Sequence, residues 1–543
     1  MLRTRRTDLL ILAILLVLPL MLFGSVALGG QTLLPADNLF QFQPWQVAAD
    51  QFGAQVPQNQ LLSDLVLENY AWKKFIVESI QQRDVPLWNP NLFAGAPFLA
   101  NGQHSAYYPF SIIFYVLPLA NAYGWFTVSQ LFLAGAFMYV FCRVLGLGRL
   151  GSAFAAITCQ LSGFYIVSVV FSMIIAAAAW LPLLLAMIEM IVQQRAVFGR
   201  PATLPWVLIG AIALACQLMA GHIEITYYTL LIMALFAVWR LSTNGRRIHE
   251  SATGGQLLRV NGLETTHSIA PSLRLPIRPI AALVVMIVLG VGLAAIQILP
   301  LAEILPQNFR EGSATFEQVR SYGYPPRHVL EMLMPNFFGS PAEHTVLNLF
   351  TGQTVPMVLN ARGKINPQGA YSTMWGIKNY VEGGAYVGLL PLLLALVAIS
   401  GTLRGSRIAY SELRKKQISP SLRPAVSLSI NWFFIILALI SLAFMFGTPL
   451  YAILYYGLPG INQLHSPFRW VWPFTISIAV LAAMGIDRLM QDRERDRAGR
   501  RLRAPISWAI LNGPLSLRTV LAGGAFWIGA IIFVGLWASR LIF

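Results

Sequence analysis

Apolar runs long enough to cross a bilayer recur along almost the whole chain, and they leave few folds open. The first runs from Leu9 to Leu28. Others are read near 122–142, 150–170, 173–192, 204–221, 223–240, 280–300, 385–402, 430–447, 468–487 and 519–541, eleven in all. A stretch of roughly 20 apolar residues spans the hydrocarbon core as an α-helix, and in lipid a helix satisfies its backbone hydrogen bonds internally. The expectation is an all-α polytopic membrane protein, one membrane domain over 1–543 with about 11–12 transmembrane helices. Tyr108 to Leu119 is apolar but short and reads as a re-entrant or interfacial segment, with a twelfth span as the alternative. Only 11% of the residues are charged and mean hydropathy is +0.63, whereas soluble proteins carry about a quarter charged residues. Arg3, Arg5 and Arg6 resemble the start of a signal peptide. The run behind them has spanning length and no small-residue cleavage pattern follows, so it is read as the first helix.

The net charge of +16 is placed asymmetrically. With the N-terminus in the cytoplasm and spans alternating, inside segments hold 27 of the 38 Lys and Arg, eight of them between Arg488 and Arg518. The two long outside loops, 30–121 and 301–384, share nine. This is a positive-inside pattern, with the C-terminus on the extracytoplasmic side. The basic excess is thus a topology signal and a contact for anionic membrane lipid, not a nucleic-acid site. The stretch 488–518 reads as a basic cytoplasmic linker. Cys142, Cys159 and Cys216 all sit in apolar runs and show no metal or disulfide spacing.

Chemical character collects outside. The first loop holds two copies of one pattern, DNLFQFQPW from Asp37 to Trp45 and DLVLENYAW from Asp64 to Trp72. Each sets an Asp eight residues before a Trp, with Gln41 or Glu68 four residues after the Asp. VPLWNPNLFAGAPFLANGQHSAYYP follows, with Trp88, Asn89 and His104. Carboxylates and amides for hydroxyls, with aromatic faces for a ring, suit a sugar-like ligand. A long loop this aromatic is unlike a disordered one. Asp64 and Asp37 are the candidate general bases toward a hydroxyl; for Asp64 a helix N-cap is an equally open role. His222 and Glu224 in AGHIEITYY stand at an outer turn, as a wall of the site or a polar hairpin. Arg310, Arg320, Lys378 and Arg469 are scarce outside cations suited to a phosphate, or to salt bridges with Glu311, Glu317 or Glu382. Glu382 joins the binding candidates. No GxGxxG after a strand, Walker A, HExxH or GxSxG occurs, which argues against an ATP-driven pump or a standard metalloprotease. The seven His are scattered, so no metal site and no cofactor are expected, with a loosely bound divalent cation left open.

These residues carry a resemblance. Asp64 followed by RDVPLWNPNLFAGAP and NGQHSAYYP, then PRHVLEMLMPNFFG (326–339), KNYVEGGAYVGLLPLLLAL (378–396) and LPGINQLHSPFRWVWPF (458–474) resemble the YfhO-like bacterial membrane proteins, in order over about residues 1–490. The resemblance implies a GT-C glycosyltransferase architecture in the bacterial inner membrane. It implies a polyprenyl-phosphate-linked sugar as donor and a cell-envelope glycan, polymer or lipid as acceptor on the outer face. By position Asp64 matches that family's acidic motif in loop one, whereas Asp37 matches the wider superfamily's carboxylate just after the first helix. Many members continue into a large extracytoplasmic portion beyond their membrane region. This sequence ends at Phe543, so acceptor recognition located there is expected to be missing or supplied by a partner.

The expected activity is therefore an inverting transfer of a lipid-linked sugar. The alternative from another class is a transporter of lipid or lipid-linked glycan, or a non-catalytic scaffold in glycan assembly. Transport predicts ionisable residues inside the spans, where Glu189 and Glu224 lie only near helix ends.

Overall fold

The computed structural model describes residues 2–500 apart from 55–58, 60–61, 93, 198–199, 254–276, 308–313, 340–344, 348–353, 357–379, 415–423 and 465. Thirteen helices organise it. They are α1 (Leu2–Leu22), α2 (Ala71–Gln81), α3 (Leu119–Val144), α4 (Arg149–Gln160), α5 (Ser172–Ala178), α6 (Leu181–Val192), α7 (Leu204–Met219), α8 (Ile223–Thr253), α9 (Ile277–Leu293), α10 (Ala295–Ile304), α11 (Leu389–Arg414), α12 (Pro424–Met445) and α13 (Val471–Arg500). The only strands among the described residues form three two-stranded hairpins.

The first ten apolar runs are helical, and the eleventh, 519–541, lies outside the described residues. Six helices among the described residues are long and apolar enough to cross a membrane, or up to eight if each of two bent pairs is one span. The chain is thus an all-α multi-pass membrane protein. The count falls below eleven partly because α7 has 16 residues. In addition, α1 opens on Arg3, Arg5, Arg6 and Asp8, which shortens its apolar part. The bent pairs have local causes. α9 and α10 meet at 75° just after Gly290 and Gly292. The second pair turns by 103° between Met445 and Pro449, where Gly447 takes φ +58 and Pro449 cannot continue a helix.

α13 is the buried centre, packed against α4, α11 and α12. Its Gly485 makes a close approach: an added Cβ would stand 2.1 Å from the Leu394 carbonyl oxygen of α11. Small residues at such crossings let backbones meet closely where lipid supplies no hydrophobic force between helices.

Loop one packs into a cap. After α1 come short 3₁₀ turns at Ala36–Gln41, Trp45–Ala48 and Asp50–Phe52. A six-residue π-helix, Leu65–Tyr70, then runs directly into α2. The segment Tyr108–Leu119 contains only a 3₁₀ turn and the five-residue helix Ile112–Val116, too short to span. Trp72, Ile76 and Phe98 form the cap's own small core, with Phe75, Ala106 and Tyr115 against it.

Candidate functional site

Five segments that begin or end helices at one end of the bundle, together with Gln103 of loop one, meet around a cleft of about 350 Å³. The first is the π-helix and the start of α2. Asp64, Glu68 and Trp72 are spaced by four and lie on one face, with Leu65 and Asn69 between them. Single-turn π segments are frequent at functional sites. Asn69 ties this face to the bundle, its Oδ1 accepting from the Tyr123 hydroxyl of α3 at 2.8 Å. The Asp64 side chain makes no capping hydrogen bond and is exposed, so the N-cap role is not what occupies it.

The second segment is the α7–α8 turn. Gly221 takes φ +87, and a Cβ there would sit 2.1 Å from the Gly102 carbonyl oxygen. Ser105 Oγ donates to the Ala220 carbonyl oxygen at 2.7 Å. These contacts seat Gln103 of loop one beside His222, and both line the cleft. His222 Nδ1 accepts the Ile225 N–H at 3.2 Å. Burial, reinforced by the Arg469 guanidinium, pushes its pKa well below the usual imidazole range. The ring is therefore neutral near pH 7, with its proton on Nε2 as a donor rather than a charge.

The remaining walls are Phe171, Met173 and Ile174 at the α4–α5 junction, Val381 and Glu382 before α11, and Arg469 before α13. Arg469 Nε donates to Glu224 Oε2 at 2.6 Å, and Tyr228 OH donates to Glu224 Oε1 at 3.3 Å. Glu224 thus holds the guanidinium at one edge and leaves its terminal nitrogens without a partner among the described residues. Glu382 sits in the 3₁₀ turn Tyr380–Gly383.

Of the residues singled out in the sequence, Asp64, Glu68, Trp72, His222, Glu382 and Arg469 line this cleft, with Glu224 behind Arg469. Others are placed elsewhere, for visible reasons. His104 is fully buried within loop one. Its Nε2 bonds the Phe98 carbonyl oxygen at 3.0 Å, its Nδ1 accepts from Ala106 N, and burial lowers its pKa to about 3. Asn89 spends its Oδ1 on the Asn91 N–H in its own turn, and Trp88 is exposed on that hairpin. Arg320 donates from Nε to the Gly447 carbonyl oxygen at 2.9 Å and lies over the Phe316 ring. Asp37 is in the 3₁₀ turn that packs against the π-helix, outside the cleft lining. Arg310 and Lys378 lie outside the described residues.

The reading from sequence passed over Asn69, Gln103 and the wall at 171–174. Phe171–Ile174 carried a signal, since the break between the runs 150–170 and 173–192 falls at an outer turn. Gln103 stands next to the His104 that drew attention, with the 3₁₀ turn pointing one inward and one outward. Among the described residues no group of three or more His, Cys, Asp or Glu is placed to hold a metal ion.

Fold and site together define a helical membrane protein with a carboxylate, a guanidinium and an indole face on one cleft. Two solved structures are similar to it. The Archaeoglobus fulgidus oligosaccharyltransferase in the apo form aligns at TM-score 0.39 and 12% identity over 98% of this chain and 56% of that one. The archaeal oligosaccharyltransferase AglB from Archaeoglobus fulgidus, in complex with an inhibitory peptide and a dolichol-phosphate, aligns at 0.38 and 12% over 99% and 56%. The chain spans little more than half the length of these structures. No protein-family model and no curated protein matches the sequence.

Proposed function

We propose that the protein is a GT-C-type membrane glycosyltransferase, moving a sugar from a polyprenyl-phosphate donor to a cell-envelope glycan, polymer or lipid acceptor. The reaction is set at the extracytoplasmic face of a bacterial inner membrane, with the N-terminus cytoplasmic, as the distribution of Lys and Arg favours. The observation that carries this reading is the meeting of Asp64 and Arg469, from opposite ends of the sequence, on one cleft that also holds Trp72. In the step we envisage, Asp64 takes the proton of an acceptor hydroxyl. The oxygen attacks the anomeric carbon as the bond from that carbon to the phosphate oxygen breaks. The phosphate leaves with the electron pair, and the terminal nitrogens of Arg469 receive it in bidentate fashion. His222 Nε2–H, Glu68 and Glu382 offer a donor and acceptors to sugar hydroxyls, and Trp72 offers a ring face. The donor is already activated and membrane-held, so no nucleotide loop is needed.

The test is an assay of the full chain in nanodiscs, supplied with polyprenyl-phosphate sugars and read as release of polyprenyl phosphate. Asp64→Asn should lower release by about 10²–10⁴-fold, with Asp37→Asn close to wild type. Loss with Asp37→Asn alone would move the base to Asp37. No release by a wild type that still binds the lipid would instead favour the transporter or scaffold.

A further inference from the structure

Loop two contains a buried polar cluster outside the cleft lining. Tyr324 is 1% exposed, and its hydroxyl donates to Glu331 Oε2 at 2.6 Å. The same Oε2 lies 2.9 Å from Nδ1 of the fully buried His328. Both Glu331 and His328 belong to the 3₁₀ stretch Pro326–Met332. A buried carboxylate is costly unless donors surround it, and an apolar core of the same volume is often no less stable. Packing alone therefore gives no reason for this cluster.

Its neighbours supply one. The Tyr324 hydroxyl has a second, longer contact with the Gly383 carbonyl oxygen at 3.2 Å, next to Glu382. Its ring centroid lies 5.0 Å from that of Phe468, the residue before Arg469. Its N–H donates to the Met445 carbonyl oxygen at 2.7 Å, at the end of α12. One side chain thus touches the backbone turn of one charged cleft residue and the immediate neighbour of another.

We infer that Tyr324, held by Glu331 and His328, is a positioning residue that sets where Glu382 and Arg469 stand across the cleft. Its catalytic meaning rests on the transferase reading above; its geometry does not. Glu331 and His328 are not among the residues that line the cleft, and their hydrogen bonds described above lead toward it through Tyr324.

The test uses full-length protein in nanodiscs, with nitroxide labels on Gln103→Cys and Glu382→Cys, which lie on different walls of the cleft. The native Cys142, Cys159 and Cys216 are buried and leave the labels specific. Pulsed electron-spin distance measurement should give one narrow distribution. Adding Tyr324→Phe, which keeps the ring and removes the hydroxyl, should shift or broaden it, as should His328→Leu. His328→Gln, which restores a donor toward Glu331, should return it toward the starting distribution. An unchanged distribution in Tyr324→Phe, or no difference between His328→Leu and His328→Gln, would overturn the inference. In the unlabelled protein Tyr324→Phe should lower kcat for transfer by up to about 10²-fold, as small misplacements do, with KM little changed. If wild type transfers nothing, the transferase reading fails while the distance measurement still decides this one.

Discussion

Two Arg–Glu pairs stand on α8 or touch it, and they have opposite characters. Arg240 near its far end donates to Glu189 of α6 through Nε at 2.6 Å and Nη2 at 2.7 Å, with side chains 2% and 0% exposed. Its Nη1 reaches Thr243, and Gln193 donates to Glu189 as well. Glu224 in the first turn of α8 meets Arg469 through a single nitrogen, with side chains 10% and 18% exposed. At 1.5 Å per residue the two positions are roughly 24 Å apart along the helix. The inner pair is closed, every strong donor and acceptor used, and it clamps α6 to α8. The outer pair is left open on the cleft side. The same two residue types in apolar surroundings thus make a clamp at one site and a binding edge at the other, and what separates them is whether the guanidinium is saturated.

The largest expected effect breaks the inner pair. Arg240→Ala strands a buried carboxylate and should cost about 3–5 kcal/mol of unfolding free energy, read by thermal or denaturant unfolding in micelles. Replacing both partners with Leu or Met should recover most of it. A loss below about 1 kcal/mol, the range of an exposed pair, would show that Arg240 and Glu189 are not the clamp described. The next effect falls on activity. Arg469→Ala should lower sugar transfer by about 10²–10³-fold while destabilising less than Arg240→Ala, since Glu224 keeps the Tyr228 hydroxyl. Arg469→Lys should recover little, because a point ammonium cannot hold Glu224 and a phosphate at once as a planar fork can. Equal destabilisation with intact transfer would make the two pairs alike and remove Arg469 from the phosphate role.

Much of the bundle was legible because spanning length and polarity are local properties, written in each run. The Asp64–Glu68–Trp72 face was legible for the same reason, through spacing alone. The repeated Asp–Trp pattern misled where local chemistry differed. Pro44 interrupts the first copy, which forms 3₁₀ turns with Trp45 exposed, while the second has no proline and continues through the π-helix into α2. His104 looked like a ligand because a histidine in a polar loop can be one, and only the tertiary fold shows both its nitrogens spent on backbone. The pairing of Arg469 with Glu224, rather than with the loop-two glutamates, depends on the turn Pro467–Trp470 meeting the start of α8, which no spacing in the sequence encodes.

Lys73 extends the comparison to a buried cation with no carboxylate at ion-pair distance among the described residues. It is 1% exposed, donates to the His104 carbonyl oxygen at 2.7 Å and stands 4.6 Å from the centre of the Phe114 ring. Burial pushes its pKa down to about 7 from the ordinary 10.5. Between those values the unfolded chain binds a proton that the folded one does not. Folding stability should therefore rise with pH across that window, by at most about 1.4 kcal/mol per pH unit, and level off below pH 7, where the folded state carries the buried charge in full. Unfolding free energies of wild type and Lys73→Met from pH 7 to 9, in one micelle system, isolate the term: the difference between the two should shrink as pH rises. A difference independent of pH would mean that Lys73 stays charged in the fold, with the Phe114 face and the His104 carbonyl oxygen doing for it what Glu189 does for Arg240.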